Sequence, residues 1–264
     1  MALEEIFPTA VFNYDGRYSD HLKAMSSAFL DSKDAVTEAQ ARENAANILS
    51  VSHDSLVLTG DVGTKSAKCY IFSTGEGDGT VYVTKQGGYL YSYSLNGETE
   101  TGELSLSRED AAAKAEAFLS RCGYSGLDLT YWKYQDDRLL LTYVTLNDGV
   151  RIYPEEINVA VSLTDGRVVY CDASGYLGAL NRNRTFDFGN LTEDGVKDVI
   201  SPQLEVEKVT RAVIQSPGGR DLYCYEALCR ASDGTGIVVY INSQNGAEEE
   251  SLILSETEEG YSAR

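Results

Sequence analysis

Residues 157–177, INVAVSLTDGRVVYCDASGYL, carry the clearest alternation of apolar and polar positions in the chain. Val159 and Val161 alternate with smaller or polar neighbours, and the chain then passes through Asp165-Gly166 into a second β-branched run. An Asp-Gly pair between two such runs is a strong hairpin signal, because a type I′ turn needs two residues that tolerate positive φ. We therefore predict a β-hairpin with a type I′ turn at Asp165-Gly166.

Helix-forming segments precede this hairpin and two similar stretches, at 80–94 and 236–254. Thr37 begins the first helix and forms a capping box with the glutamine three residues later. Ser107 caps the second helix, whose acidic first turn complements the helix dipole. Thr192 begins a third helix, which is weakened by an internal glycine.

Short apolar runs separated by glycine-rich turns follow each helix, and this pattern is typical of antiparallel meanders. We predict an α+β fold of three tandem units, each a helix packed on a small antiparallel β-sheet. The expected boundaries are a lead-in segment at 1–34 and units at 35–105, 106–183 and 184–264. The third unit lacks the Asp-Gly turn, and we expect its glutamate-rich end beyond Leu254 to be a solvated tail.

Charge excludes several classes of partner. The 264-residue chain has a formal net charge of -19, and the acidic residues are spread along its length. Binding of nucleic acid requires clusters of Lys and Arg that displace counterions, so we expect no nucleic-acid partner. The same charge opposes adsorption to an anionic membrane, so we expect no membrane contact by this chain itself.

Side chains with catalytic or metal-binding potential are few. The five cysteines lack C-x-x-C spacing and are odd in number, so we predict small buried apolar roles for them. Asp15, Asp20 and His21 invite a catalytic or metal-binding interpretation, but we favour turn-forming and capping roles. We find no zinc spacing and no nucleophile motif. The sequence therefore predicts no enzyme, no metal and no cofactor.

Adjacent acidic residues occur at 136–137 and 155–156. Neighbours on a strand point to opposite faces, so neither pair makes a carboxylate dyad by itself. A pair assembled from different strands stays open as an enzymatic alternative.

Tyrosine is abundant, with 18 residues against 7 phenylalanines and 1 tryptophan. Its ring packs while its hydroxyl stays solvated, so half-buried sheet faces explain the excess. The alternative is a surface that binds a glycan or another ligand through exposed tyrosines and Trp132. A contiguous exposed aromatic platform favours that alternative, whereas tyrosines that are all half-buried count against it.

The helix-plus-hairpin unit resembles the PepSY domain, and the whole chain resembles the C-terminal region of the YpeB family of spore germination proteins. The resemblance is carried by the lead-in motifs Phe7-Pro8-Thr9, Tyr14-Asp15-Gly16 and Ser19-Asp20-His21, and by the second-unit motifs at 148–154, 157–161, 165–169 and 175–177. It implies tandem PepSY domains and a non-enzymatic role.

The resemblance also implies a partner and a location. YpeB-like proteins accompany a cortex-lytic hydrolase of the SleB type, so the implied function is to bind, stabilise and restrain such a hydrolase until germination. The family has a membrane-anchoring N-terminal part that is absent from this sequence, so a soluble fragment in the spore envelope, on the inner-membrane and cortex side, is expected. Tyr176, just past the hairpin, is our candidate partner-contact residue.

Overall fold

The computed structural model of the protein describes residues 26–75, 78–95, 105–216, 218–257 and 260–263. Most of the predicted lead-in, including Asp15, Asp20 and His21, lies outside these described residues. Its last part contains a short helix that begins after Ser27, whose hydroxyl accepts a hydrogen bond from the backbone of Leu30.

Five α-helices occur in the described residues: α1 (Ala28–Asp31), α2 (Glu38–Leu49), α3 (Arg108–Arg121), α4 (Ser174–Ala179) and α5 (Glu193–Val199). A 3₁₀ turn at His53–Ser55 follows α2. The strands are β1 (Leu56–Gly63), β2 (Lys68–Thr74), β3 (Gly79–Thr84), β4 (Leu90–Leu95), β5 (Leu127–Gln135), β6 (Arg138–Asn147), β7 (Val150–Ser162), β8 (Val168–Asp172), β9 (Leu204–Gln215), β10 (Asp221–Ala231), β11 (Gly236–Asn242), β12 (Glu248–Thr257) and β13 (Gly260–Ala263).

Helix starts follow the predicted capping chemistry. The Thr37 hydroxyl accepts from the Gln40 backbone while the Gln40 side chain accepts from the Thr37 backbone, which confirms the capping box. The Ser107 hydroxyl caps α3 by accepting from the Asp110 backbone, and the Thr192 hydroxyl caps α5 by accepting from the Gly195 backbone. Because each cap lies just before an apolar stripe, the sequence locates these helices reliably.

The fold is mixed α+β, and its strands form one sheet. The order of strands in that sheet is β1-β2-β3-β4-β8-β7-β6-β5-β13-β12-β11-β10-β9. The strands fall into three groups, which follow the three longer capped helices: β1–β4 follow α2, β5–β8 follow α3, and β9–β13 follow α5. Antiparallel pairing of β4 with β8 joins the first group to the second. The small sheets expected for each unit are therefore joined into one sheet, because the edge strand of one group pairs with the edge strand of the next.

Two further pairings close part of this sheet into a ring. β13 pairs with β5 through Tyr261 and Trp132, and the first residues of β7 pair in parallel with β9 at Val150–Ile152 and 211–213. The circuit therefore contains the eight strands β5, β6, β7, β9, β10, β11, β12 and β13. A closed circuit has a common interior, which holds Val144, Tyr153, Cys224 and Tyr240 among others.

The hairpin turns correct one prediction and reveal a repeat. Gly166 has a φ of 73°, but Asp165 does not have positive φ, so the turn at this pair is not type I′. The connection instead runs from Ser162 to Arg167, joined by a backbone hydrogen bond. The type I′ signature lies one loop earlier, at Asp148 and Gly149, where φ is 50° and 75°.

All three hairpins close with a backbone hydrogen bond between residues five positions apart, which we call the five-residue step. These bonds join Thr84 to Tyr89, Ser162 to Arg167, and Asn242 to Ala247. A β-bulge lies directly before each turn, at Tyr82/Val83, Ala160/Val161 and Tyr240/Ile241. In the third hairpin Gly246 takes the place of the missing Asp-Gly glycine, with a φ of 72°.

Strand ends differ from prediction in two places. The hairpin strand predicted from Ile157 begins earlier, because Val150–Ser162 form a single strand, β7, with a register shift against β6 at Val144 and Thr145. The predicted solvated tail is wrong, because β12 continues to Thr257 and β13 pairs with β5.

Candidate functional site

A cavity of about 500 Å³ opens at one end of the eight-strand ring. It is lined by the first turn of α3 and by strands β5, β7, β9, β10, β11 and β13. The lining side chains that matter most for its chemistry are Arg108, Trp132, Arg151, Lys208, Glu226 and Tyr261. Mouths of β-barrels are common sites for small ligands, and this volume is typical of them.

A charged network forms the inner end of the cavity. The Arg151 guanidinium donates from Nε to Asp128 Oδ2 at 2.7 Å and from Nη1 to Glu226 Oε1 at 2.7 Å. The Glu226 side chain is 10% exposed and that of Arg151 is 20% exposed. Burial lowers the pKa of Arg151, but the charges of Glu226 and Asp128 outweigh it and raise the pKa, so the guanidinium stays charged.

Three tyrosines surround the same carboxylate. Tyr153 donates to Glu226 Oε2 at 2.5 Å, and Tyr240 donates to the same oxygen at 3.4 Å. The rings of Tyr153 and Tyr240 meet edge-on with centroids 5.8 Å apart. Burial, then the nearby Glu226 charge, raises the pKa of Tyr131 to about 12, and burial also raises the pKa of Tyr153 and Tyr240. The phenols are therefore neutral donors.

This geometry favours binding over proton transfer. Glu226 accepts from one guanidinium and two phenols, so both of its oxygens already have hydrogen-bond partners. Asp128 and Glu226 are two acids from different strands, but Arg151 lies between them and forms an ion pair with each. A general base needs a free carboxylate within reach of a substrate proton. An acid pair from different strands does occur, as the enzymatic alternative requires, but both acids are held in an ion network with Arg151.

Aromatic and basic side chains surround the opening. The Arg108 guanidinium lies over the Trp132 ring at 4.7 Å, and Tyr134 contacts the same ring at 5.6 Å with an interplanar angle of 77°. Tyr261 stacks on Tyr131 with centroids 6.2 Å apart. Neighbouring side chains therefore fix both rings that line the cavity.

A second buried ion pair lies outside the cavity. Glu155 accepts from Arg184 Nη2 at 3.2 Å and from the Asn181 backbone, and Arg184 also pairs with Asp221. Burial raises the pKa of the Glu155 carboxyl, although the Arg184 charge opposes this effect. The neighbouring Glu156 accepts from Asn158, so the two adjacent acids have separate partners.

Tyr176, the predicted partner contact, lies in α4, a helix that the sequence did not reveal. Its side chain is 3% exposed, and its ring packs on Tyr124 with centroids 4.9 Å apart. A partner that docks on the surface of this conformation does not touch the ring. Its partner contact therefore stays a prediction, while the observed contacts give it a packing role.

Other predicted features are placed as follows. All five cysteines are free and buried, which confirms their predicted apolar roles. Acids 136 and 137 form the two-residue turn between β5 and β6. His53 lies on the surface beside Asp54. Across the described ranges, no group of three or more His, Cys, Asp or Glu side chains is placed to hold a metal ion.

Tyrosines do not form an exposed platform within the described residues. Tyr14 and Tyr18 lie outside those residues, and the remaining 16 of the 18 tyrosines are all buried or half-buried. Trp132 is half-buried too. The criterion set for a flat aromatic binding surface is therefore not met.

Sequence reasoning missed the residues of the cavity, apart from Trp132. Arg151 and Glu226 each lie within apolar strands, and a charged residue in such a run is the one signal that points to a buried partner. Sequence spacing could not reveal the pairing, because the two residues are 75 positions apart. Among the described helices, none has both the length and the apolar character needed to cross a bilayer.

The class of protein is thus a mixed α+β chain of helix-and-hairpin groups. A family model described as "YpeB sporulation, PepSY1 and PepSY2 domains" matches residues 4–187. The chain belongs to the YpeB sporulation family. The family model covers the first two helix-and-strand groups and does not extend over the third.

Individual relatives agree with the family. The sporulation protein YpeB of Halalkalibacterium halodurans is 28% identical over 246 residues, which span 92% of this chain and 54% of the relative. The Bacillus subtilis sporulation protein YpeB is 32% identical over 181 residues, covering 68% and 39%. The chain therefore spans about half the length, or less, of these curated relatives.

A solved structure matches the fold. The Bacillus megaterium YpeB C-terminal domain superimposes with a TM-score of 0.72 at 23% identity, covering 84% of this chain and 99% of that chain. At this level of identity the match bears on the fold alone.

Proposed function

We propose that this protein is a non-enzymatic regulator of spore germination that binds, stabilises and restrains a cortex-lytic peptidoglycan hydrolase of the SleB type. The family-model match over residues 4–187 carries this proposal, because it places the chain in the YpeB sporulation family. Its site of action is the spore envelope, on the inner-membrane and cortex side.

The state of the cavity acids supports a binding role. Arg151, Tyr153 and Tyr240 donate to Glu226, so both oxygens of the more buried acid of the cavity are held by the protein itself. Control of a hydrolase by this chain then acts through contact and not through a reaction of its own.

Surface charge supports a basic partner. The formal net charge is -19, and α5 presents Glu193, Asp194 and Asp198 on its exposed side. Complementary charge raises the association rate of two proteins and makes it fall with salt. We propose that the hydrolase presents a basic surface to this chain.

We also propose that the three groups are tandem PepSY-like units, with domain boundaries at 35–105, 106–183 and 184–264. Each group contains a side-chain-capped helix followed by antiparallel strands, four in the first two groups and five in the third. The hairpin formed by the third and fourth strands of each group has the same bulge and the same backbone bond between residues five positions apart. Such agreement in detail supports a repeated unit.

Co-purification with the hydrolase, together with a lytic assay on purified cortex, tests the regulatory proposal. We expect a stable complex, slower lysis when this chain is added, and a longer half-life of the hydrolase. The charge argument is tested with Glu193→Gln/Asp194→Asn, against Glu43→Gln on α2 as a control at an exposed helix position. Slower association for the first variant alone supports it, and equal rates for both contradict it.

A further inference from the structure

The cavity at the mouth of the ring differs in charge from the rest of the molecule. Its charged lining residues are Arg108, Arg151 and Lys208 against Glu109 and Glu226, and with Asp128, the second partner of Arg151, the site is close to neutral in a chain of net charge -19. Both acids are already paired, since Glu109 binds Arg108 and Glu226 binds Arg151. A ligand therefore meets more unused donors than unused acceptors.

Two of these donors belong to residues of different strands. Arg151 uses Nε and Nη1 for Asp128 and Glu226, and its other N–H groups make no further hydrogen bond within the described part of the chain. Lys208 lines the cavity from β9, and no ion pair in the described ranges involves it. A carboxylate is an acceptor that such a guanidinium and ammonium bind strongly.

The remaining walls suit a sugar ring. Trp132 and Tyr261 line the cavity, and their neighbours Arg108 and Tyr131 hold both rings in place. Fixed aromatic rings offer apolar area at little entropic cost. The Thr210 hydroxyl, also in the lining, is available to hydroxyl groups of a ligand.

We propose that this cavity is a binding site for a small carboxylate-bearing saccharide, with Arg151 and Lys208 receiving the carboxylate and Trp132 and Tyr261 contacting the sugar ring. The volume of about 500 Å³ accommodates a sugar of one or two rings. This site does not depend on the hydrolase, so either proposal stands if the other fails.

Titration of the whole chain tests the proposal. Trp132 is the single tryptophan, so its fluorescence reports on the cavity directly. We expect the dissociation constant of N-acetylmuramic acid, measured from this fluorescence, to be at least tenfold lower than that of N-acetylglucosamine, which lacks the carboxylate. It should be at least tenfold lower than that of lactate, which lacks the sugar, as well. The proposal is overturned if N-acetylmuramic acid does not bind. It is also overturned if N-acetylglucosamine or lactate binds as tightly as N-acetylmuramic acid.

Variants locate the site. Lys208→Gln removes an exposed ammonium without disturbing the core. We expect this variant to bind N-acetylmuramic acid about tenfold more weakly. Lys133→Gln is the matched control, because Lys133 follows Trp132 on the same strand and points to the opposite face. An unchanged affinity for Lys208→Gln, or an equal loss in both variants, contradicts the assignment. Amide chemical shifts of β5 and β9 provide a second measurement that does not need the tryptophan.

Discussion

Tyr153 donates a 2.5 Å hydrogen bond to Glu226 across the interior of the eight-strand ring, from a position 73 residues away in the sequence. The bond joins β7 of the second helix-and-strand group to β10 of the third. Together with Arg151, it ties the two groups through buried polar contacts as well as through strand pairing. The stability of the ring therefore depends on this network.

Loss of the Glu226 carboxylate is expected to be costly. Glu226→Ala leaves the partly buried Arg151 short of a counter-charge, and we expect the free energy of unfolding to fall by about 3 kcal/mol. Tyr153→Phe removes only one donor and should cost about 1 kcal/mol. Urea unfolding measures both.

Glu207→Ala serves as the control, since Glu207 pairs with Arg230 at the surface. That pair should contribute less than about 1 kcal/mol. Equal losses for the buried and the surface acid contradict the structural role of the network.

The pH dependence of stability carries a signature of Glu155. Its pKa in the folded state is raised above the ordinary value of 4.5 by burial, so the folded state binds more protons than the unfolded state in this range. The Glu155 contribution to stability therefore falls as pH rises through 4.5 towards the raised pKa. Glu155→Gln removes this dependence.

Urea unfolding of the chain and of Glu155→Gln, between about pH 4 and pH 7, measures the difference. The variant should gain stability relative to the unsubstituted chain as pH rises. A difference that does not change with pH, or that changes in the opposite sense, contradicts the raised pKa.

The cysteine thiols are expected to be inert in the native state. Burial raises the pKa of Cys69, Cys122 and Cys224 to about 12, and the thiolate is the reactive form. A thiol reagent at neutral pH should find none of the five cysteines before unfolding and all five in urea. Ser232→Cys, in an exposed turn, should react at once and serves as the positive control.

The contact between β13 and β5 depends on the absence of a side chain at Gly260. A Cβ there would lie 2.7 Å from the Trp132 carbonyl oxygen and 2.8 Å from the Lys133 Cα atom. Gly260→Ala should therefore separate these strands and shift the fluorescence of Trp132. Gly60→Ala, where an added Cβ meets nothing within 4 Å, should leave the fluorescence unchanged.

Local sequence signals predicted the three capped helices, whereas the closed ring of strands is visible only in the folded structure. The caps Thr37, Ser107 and Thr192 act within one helical turn, so their effect can be read from neighbouring residues. Helix α4 escaped detection because it has two glycines and no side-chain cap. Pairing of β13 with β5 depends on residues more than a hundred positions apart, and no local pattern encodes it.

The candidate site was hidden for the same reason. Asp128, Arg151 and Glu226 come from three strands, and each alone is an ordinary charged residue in the sequence. Tyr176 drew attention through its position beside the hairpin, yet its ring packs on Tyr124 in the core. Only the folded chain distinguishes a tyrosine in the core from one that lines a cavity.

The most direct test of the proposed function is the rate of cortex lysis by a SleB-type hydrolase, with and without an equimolar amount of this chain. The account predicts a stable complex and slower lysis, with the hydrolase surviving longer at the temperature of the assay. If the two proteins do not associate and neither the lytic rate nor the lifetime of the hydrolase changes, the proposed regulation is contradicted.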